Sequence, residues 1–255
     1  SGFTLTNNNN LIVGYQKVDT SQNILFRQFS VTSLKQKLNI IGKYSLNDSS
    51  NIILSARNFD LLTIQKLLNP DVDTSSIVKG NLRRVEIAYS GIKGNPEIKF
   101  ETNSDVLKIG ETKIGRLDAF INYIDYAIVP DIAFTNLSGV GNFKLKGIFP
   151  FLKENEKEGI DSANKIKKIK KKNVNLDAIA DNFQMKVLQQ LLPYTQDLEG
   201  ILNGKISLQG TYEKPFLIGD MKIEKGKFYV TLNKMNYDFN AAVATKDNKL
   251  LIKDS

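Results

Sequence analysis

From Leu202 to Glu213 the chain alternates without a break between apolar or small residues and polar ones. One set reads Leu202, Gly204, Ile206, Leu208, Gly210 and Tyr212; the other reads Asn203, Lys205, Ser207, Gln209, Thr211 and Glu213. Successive side chains of an extended strand point to opposite sides, so this segment belongs in a sheet with one apolar and one wetted face. A helix, whose period is 3.6, would scatter the same residues around its circumference.

The habit recurs along the chain. Leu11, Val13 and Tyr15 alternate with polar neighbours, as do Ile52, Leu54 and Ala56. Met221 and Ile223 do so too, then Phe228, Val230 and Leu232, then Tyr237, Phe239, Ala241 and Val243. Clusters of Gly, Asn, Asp and Pro divide these runs at hairpin spacing, which leaves no room for helical crossovers. The expected fold is mostly β: a long antiparallel curled sheet, taco-like and groove-forming, with two short α-helices in a repeated unit. Gly80, Gly204, Gly210 and Gly219 fall at strand centres, where glycine marks a bend or close approach.

Two segments change period. Leu61, Ile64, Leu67 and Leu68 give Asn58–Leu68 the spacing of a helix face, with Asn58 as N-cap and Pro70 as stop. Met185, Leu188, Leu191 and Leu192 do the same for Asn182–Leu192, which Pro193 ends. Asn58-Phe59 superposes on Asn182-Phe183 at an offset of 182 − 58 = 124, and the same offset carries Gly80 onto Gly204. It also carries Val78 and Leu82 onto Leu202 and Ile206. A unit recurring at one spacing is an internal repeat. The expected division is strands of a preceding repeat over 1–49, a first repeat over 50–152, and a second, truncated one over 174–255. All belong to one continuous elongated β domain, and both termini read as cut points. Between the repeats, 153–173 opens acidic and ends in Lys165, Lys167, Lys168, Lys170, Lys171 and Lys172, the composition of a mobile, solvated loop, with contact to anionic membrane headgroups as the less favoured reading of the lysines.

The 255 residues include no Cys, His or Trp, which removes the usual zinc, haem and thiol chemistry. The absence of Cys fits an oxidising compartment and equally fits drift in an AT-rich genome, to which the many Asn, Lys and Ile residues point. Ser138-Gly139-Val140-Gly141-Asn142 lacks both the third glycine and the following helix of a phosphate site. No carboxylate pair sits in a catalytic motif. The expectation is a non-enzyme without cofactor or metal. A net charge of +8 suits anionic partners, yet the aromatics share the apolar face while lysines lie opposite, so nucleic acid is not the expected partner.

Leu198-Glu199-Gly200-Ile201-Leu202-Asn203-Gly204, Leu208-Gln209-Gly210, Lys214-Pro215-Phe216-Leu217-Ile218-Gly219-Asp220-Met221 and Lys225-Gly226-Lys227-Phe228 together resemble the repeat of TamB-like proteins in the AsmA-like superfamily. Asp181-Asn182-Phe183 and Leu191-Leu192-Pro193 are similar to that family's short inter-repeat helix, and Arg57-Asn58-Phe59-Asp60 opens an earlier copy. The likeness covers about residues 50–255. It departs at Phe100, which stands where the second copy has Gly219. The resemblance implies a periplasmic segment of a protein anchored in the inner membrane by a part outside this chain. It implies phospholipid as cargo, a role in outer-membrane biogenesis, and an outer-membrane barrel partner of the TamA kind for the intact protein.

A sheet with one apolar face must cover it or curl around it, and two short helices cannot cover so many strands. The residues expected to line a groove and solvate acyl chains are Leu202, Ile206, Leu208, Ile223, Phe228, Val230, Tyr237 and Phe239. For each the competing reading is sealed core. The rival function is a structural β module of a repetitive scaffold or surface adhesin with a closed core. A fragment of a membrane barrel is disfavoured by the helices and the Lys-rich loop.

Overall fold

The computed structural model describes residues 12–18, 21–33, 35–62, 78–92, 94–109, 112–137, 141–151, 172–192, 194–246 and 249–254. These form β1 (Ile12–Val18), β2 (Ser21–Ser33), β3 (Gln36–Ser45), β4 (Ser50–Asp60), β5 (Val78–Lys79), β6 (Asn81–Ile92), β7 (Asn95–Ser104) and β8 (Leu107–Ile109). Then come β9 (Thr112–Ile124), β10 (Ala127–Asn136), β11 (Asn142–Pro150), β12 (Asn173–Gln184), β13 (Thr195–Thr211), β14 (Pro215–Val230), β15 (Met235–Lys246) and β16 (Lys249–Asp254). All sixteen belong to one sheet. Every pairing is antiparallel, and the main path runs in chain order with only the short strands β5 and β8 off it. β1 and β16 lie at opposite ends of that path, so the sheet is open.

The expected meander is therefore the fold. The helices are another matter. β12 continues through Asn182 to Gln184, and a 3₁₀ helix, Met185–Leu191, follows in place of the α-helix expected from Asn182. Asn182 caps nothing; it sits in the strand with φ 46°, and Asn58 does likewise in β4 with φ 54°. Asparagine is among the few non-glycine residues that tolerate this left-handed conformation. Of the first expected helix, Leu61 and Leu62 are helical and the remainder lies outside the described residues, as does nearly all of the Lys-rich segment.

These left-handed residues have one structural effect: they switch the parity of the strand. On β12, Val174, Leu176, Ala178 and Ala180 point to one side; after Asn182 the inward residues are Phe183 and Met185. On β14 the inward set changes from Met221 and Ile223 to Gly226 and Phe228 across Lys225, whose φ is 53°. A bulge adds one residue to one strand of a pair and bends it.

Packing concentrates where parity changes. Phe183 is 1% exposed and Leu198 2%, and they join Leu107, Ile114, Phe134, Ala180, Met185 and Leu202 in one core. Phe134 meets the Phe183 ring edge-on with centroids 5.8 Å apart. A second core holds Ala56, Leu82 and Val85, with Phe59 and Phe100 packed against it. Phe59 stands opposite Leu82, and Phe183 stands opposite Leu202.

That register corrects the repeat alignment. The phenylalanines differ by 183 − 59 = 124 and their leucine partners by 202 − 82 = 120, so Leu82 corresponds to Leu202 and not to Ile206. Gly80 then corresponds to Gly200, and both have positive φ, 142° and 128°. The connection between the paired strands is four residues shorter in the second copy, a gap that matching by residue type alone passed over.

Candidate functional site: a continuous apolar face

Cross-strand partners share a face, so the ladders show how far the apolar side extends. Leu38 stands opposite Ala56, Ala56 opposite Val85, Val85 opposite Thr102 and Thr102 opposite Ala119. The row continues through Ile132, Leu145, Ala178 and Ile206. One level along the strands, Ile40, Leu54, Ile87, Phe100 and Ile121 form a parallel row. From β3 to β13 this face carries no charged side chain in either row. Thr102, its one polar member, donates its hydroxyl to the Arg84 carbonyl at 2.8 Å and is thereby satisfied.

The opposite face carries the charges. Lys146 pairs with Asp131 at 3.0 Å, Lys205 with Asp177 at 2.8 Å and Lys222 with Glu224 at 2.8 Å. These bridges are exposed and contribute little to stability; their effect is to keep that face in water. The Lys205 ammonium, and then the Ser207 hydroxyl, hold the Asp177 carboxyl below its ordinary value.

The apolar face is covered unequally. Along one rim it is sealed by the two cores and by the 3₁₀ helix, which packs on β13. Across the middle, Ile87, Phe100, Ile121, Ile132, Leu145, Leu176 and Leu208 are each only half-buried. Large aliphatic and aromatic residues inside a closed sandwich are typically fully buried. Among the described residues, the substantial contacts of each strand are with its ladder neighbours.

All eight residues expected to line the face lie on this side. Leu202, Ile206 and Leu208 share the parity of β13, and Ile223 stands opposite Leu202. The Lys225 bulge returns Phe228 and Val230 to the same side, where Tyr237 faces Phe228 and Phe239 faces Gly226. A Cβ on Gly226 would lie 2.5 Å from the Phe239 ring, so only glycine lets that ring settle there. Phe228 stacks on Tyr237 at 5.3 Å. Accessibility divides the eight. Leu202 is sealed in the core at 8% exposure, Tyr237 is 37% exposed, and the other six are half-buried.

Reading single strands missed the larger part of the face, from β3 to β11. Its signal was present in each strand's alternation, but the registers that align those strands were not. Among the described residues, no group of three or more acidic side chains could hold a metal ion, and no helix is long and apolar enough to cross a membrane. No protein-family model, curated protein or solved structure matches the chain.

Proposed function

We propose that this chain is a segment of a TamB-like lipid-transfer bridge of the AsmA-like superfamily, carrying phospholipid acyl chains between the inner and outer membranes of a diderm bacterium. In this reading the open sheet curls about its long direction and its apolar side becomes a groove. The protein works in the periplasm, supports outer-membrane biogenesis and protein assembly, catalyses no reaction, and meets a TamA-like barrel through its intact parent.

One observation carries the reading: an uncharged apolar face continues from β3 to β13 while its central side chains stay half-accessible. Leaving acyl chain in water costs about 0.8 kcal/mol per methylene, so a sixteen-carbon tail faces roughly 12 kcal/mol. Aliphatic side chains at one level in strand after strand offset that cost without directional bonds. A tail can therefore slide between strands without crossing a deep local well.

The rival is a structural module of a scaffold or adhesin, and the sealed core around Phe183 favours it at that rim. One experiment separates the two. The protein is purified without detergent, its lipids are extracted, and uptake of a fluorescent phospholipid is measured. Co-purified phospholipid, with uptake reduced several-fold by Ile206→Glu but not by Lys222→Gln on the wetted face, is the expected result. Absence of both bound lipid and uptake would leave the scaffold.

A further inference from the structure

The two rims of the apolar face differ in chemistry. At one rim Phe59 faces Leu82, and Leu117 faces Phe134 in the sealed core. Ser104, the hydroxyl at that level, is consumed in accepting the Leu117 amide at 2.7 Å. At the other rim stand tyrosines. Tyr89 faces Ile98, and Ile98 faces Tyr123, which sets the two phenols about two strand spacings, ~10 Å, apart on one side. The Tyr44 ring lies 6.5 Å from that of Tyr89. Half-aliphatic strands join the rims, and Leu117 to Tyr123 on β9 is six residues, roughly 20 Å.

Resting on the lipid reading above, the geometry points to a fixed orientation for the cargo across β3–β9. The acyl chain lies along the strands with its end at the Leu82–Leu117 rim, and the phosphate and ester oxygens of a phospholipid rest on a ledge made by Tyr44, Tyr89 and Tyr123. The distance suits such a molecule, since one leaflet measures about 15 Å of hydrocarbon and about 20–22 Å with its polar headgroup region, half of a bilayer in each case. Tyrosine suits the position, being an apolar ring with a hydrogen-bonding tip, the type enriched where hydrocarbon meets water. Burial first, and the neighbouring Tyr44 second, push the Tyr89 phenol above its ordinary value, so it remains a protonated donor at neutral pH. Beyond β9 the same rim carries Tyr212, whose ring meets Phe149 with centroids 6.1 Å apart, whereas Tyr237, on β15, stands at the opposite rim beside Phe228.

The chain has no Trp, so single reporters are clean. Tyr123→Trp and Leu117→Trp proteins are each loaded from phosphatidylcholine vesicles bearing a nitroxide either on the headgroup or at carbon 16 of the acyl chain. The headgroup label is expected to quench the indole of Tyr123→Trp and the chain-end label that of Leu117→Trp. As a milder second probe, Tyr44→Phe, Tyr89→Phe and Tyr123→Phe are combined, keeping the rings. Phospholipid affinity should fall by roughly 2- to 10-fold per hydroxyl lost, while hexadecane binding stays unchanged. Equal quenching by both labels at both positions, or an unchanged affinity in the triple variant, overturns the ledge and leaves lipid carriage standing. Failure of the parent protein to load either lipid or hexadecane overturns both.

Discussion

The side chain of Asn203 on β13 accepts the backbone amide of Asn182 on β12, with Oδ1 2.6 Å from the nitrogen. The same relationship recurs one hairpin along, where Asn240 accepts the amide of Lys225 at 2.8 Å. In both cases the donor residue is left-handed, and in both an asparagine on the next strand takes up the amide that the bulge removes from the ladder. This device lets the apolar face pass from one parity to the other without an orphaned donor.

Asn203→Ala should destabilise the protein by about 1 kcal/mol, the net worth of one such hydrogen bond. Asn182→Gly should be neutral within about 0.5 kcal/mol, because glycine adopts a positive φ freely. Asn182→Val should cost about 1–2 kcal/mol or more. Urea midpoints at unchanged m-value report all three. A tolerated valine would mean that the bulge is not needed.

Phe183→Ala and Leu208→Ala test how the face is covered. Phe183 is sealed, so its truncation should cost about 3–5 kcal/mol. Leu208 is half-buried, and its loss should cost roughly 1–2 kcal/mol, near half of a full burial. Equal losses would indicate a closed core around Leu208.

Gly219 has φ +123°, and a Cβ there would lie 2.1 Å from the Lys205 carbonyl oxygen on the paired strand. Gly219→Ala should therefore cost about 1–3 kcal/mol in backbone strain alone. Gly94→Ala is the matched control, having nothing within 4 Å of the added methyl, and should stay within about 0.5 kcal/mol. Thermal unfolding of the two variants side by side is the measurement.

Asp177 gives the wetted face an acid-sensitive element. Its carboxyl is held below the ordinary 3.8 by hydrogen bonds from Lys205 and then Ser207, so the folded state binds the proton less readily than the unfolded chain. The contribution is present above 3.8 and is lost as pH falls through the lower, folded value. Asp177→Asn should flatten the fall in stability over that acidic window and leave its pH dependence near neutrality unaltered. Denaturant titrations at a series of pH values would show an unchanged acid limb if the interaction carries no linkage.

Much of this molecule was legible along the chain. Alternation at Ile52, Leu54 and Ala56, and again from Leu202 to Tyr212, is a local property, so it specified strands and their apolar side. The change of parity between Ile223 and Phe228 was equally visible, although only the left-handed Lys225 between them explains it. Asn182 misled because an asparagine before an apolar run serves as well for a helix cap as for a bulge, and φ alone distinguishes them.

What the sequence by itself determined is a one-sided antiparallel meander, because the direction of a side chain from a strand depends on that strand alone. The tertiary structure decided which levels align, that Leu82 matches Leu202, and that one rim is sealed while Ile87, Phe100 and Ile121 stay half-open. Those outcomes depend on register and bulge position, which are properties of pairs of strands, and a one-residue slip in either would move the apolar set to the other side.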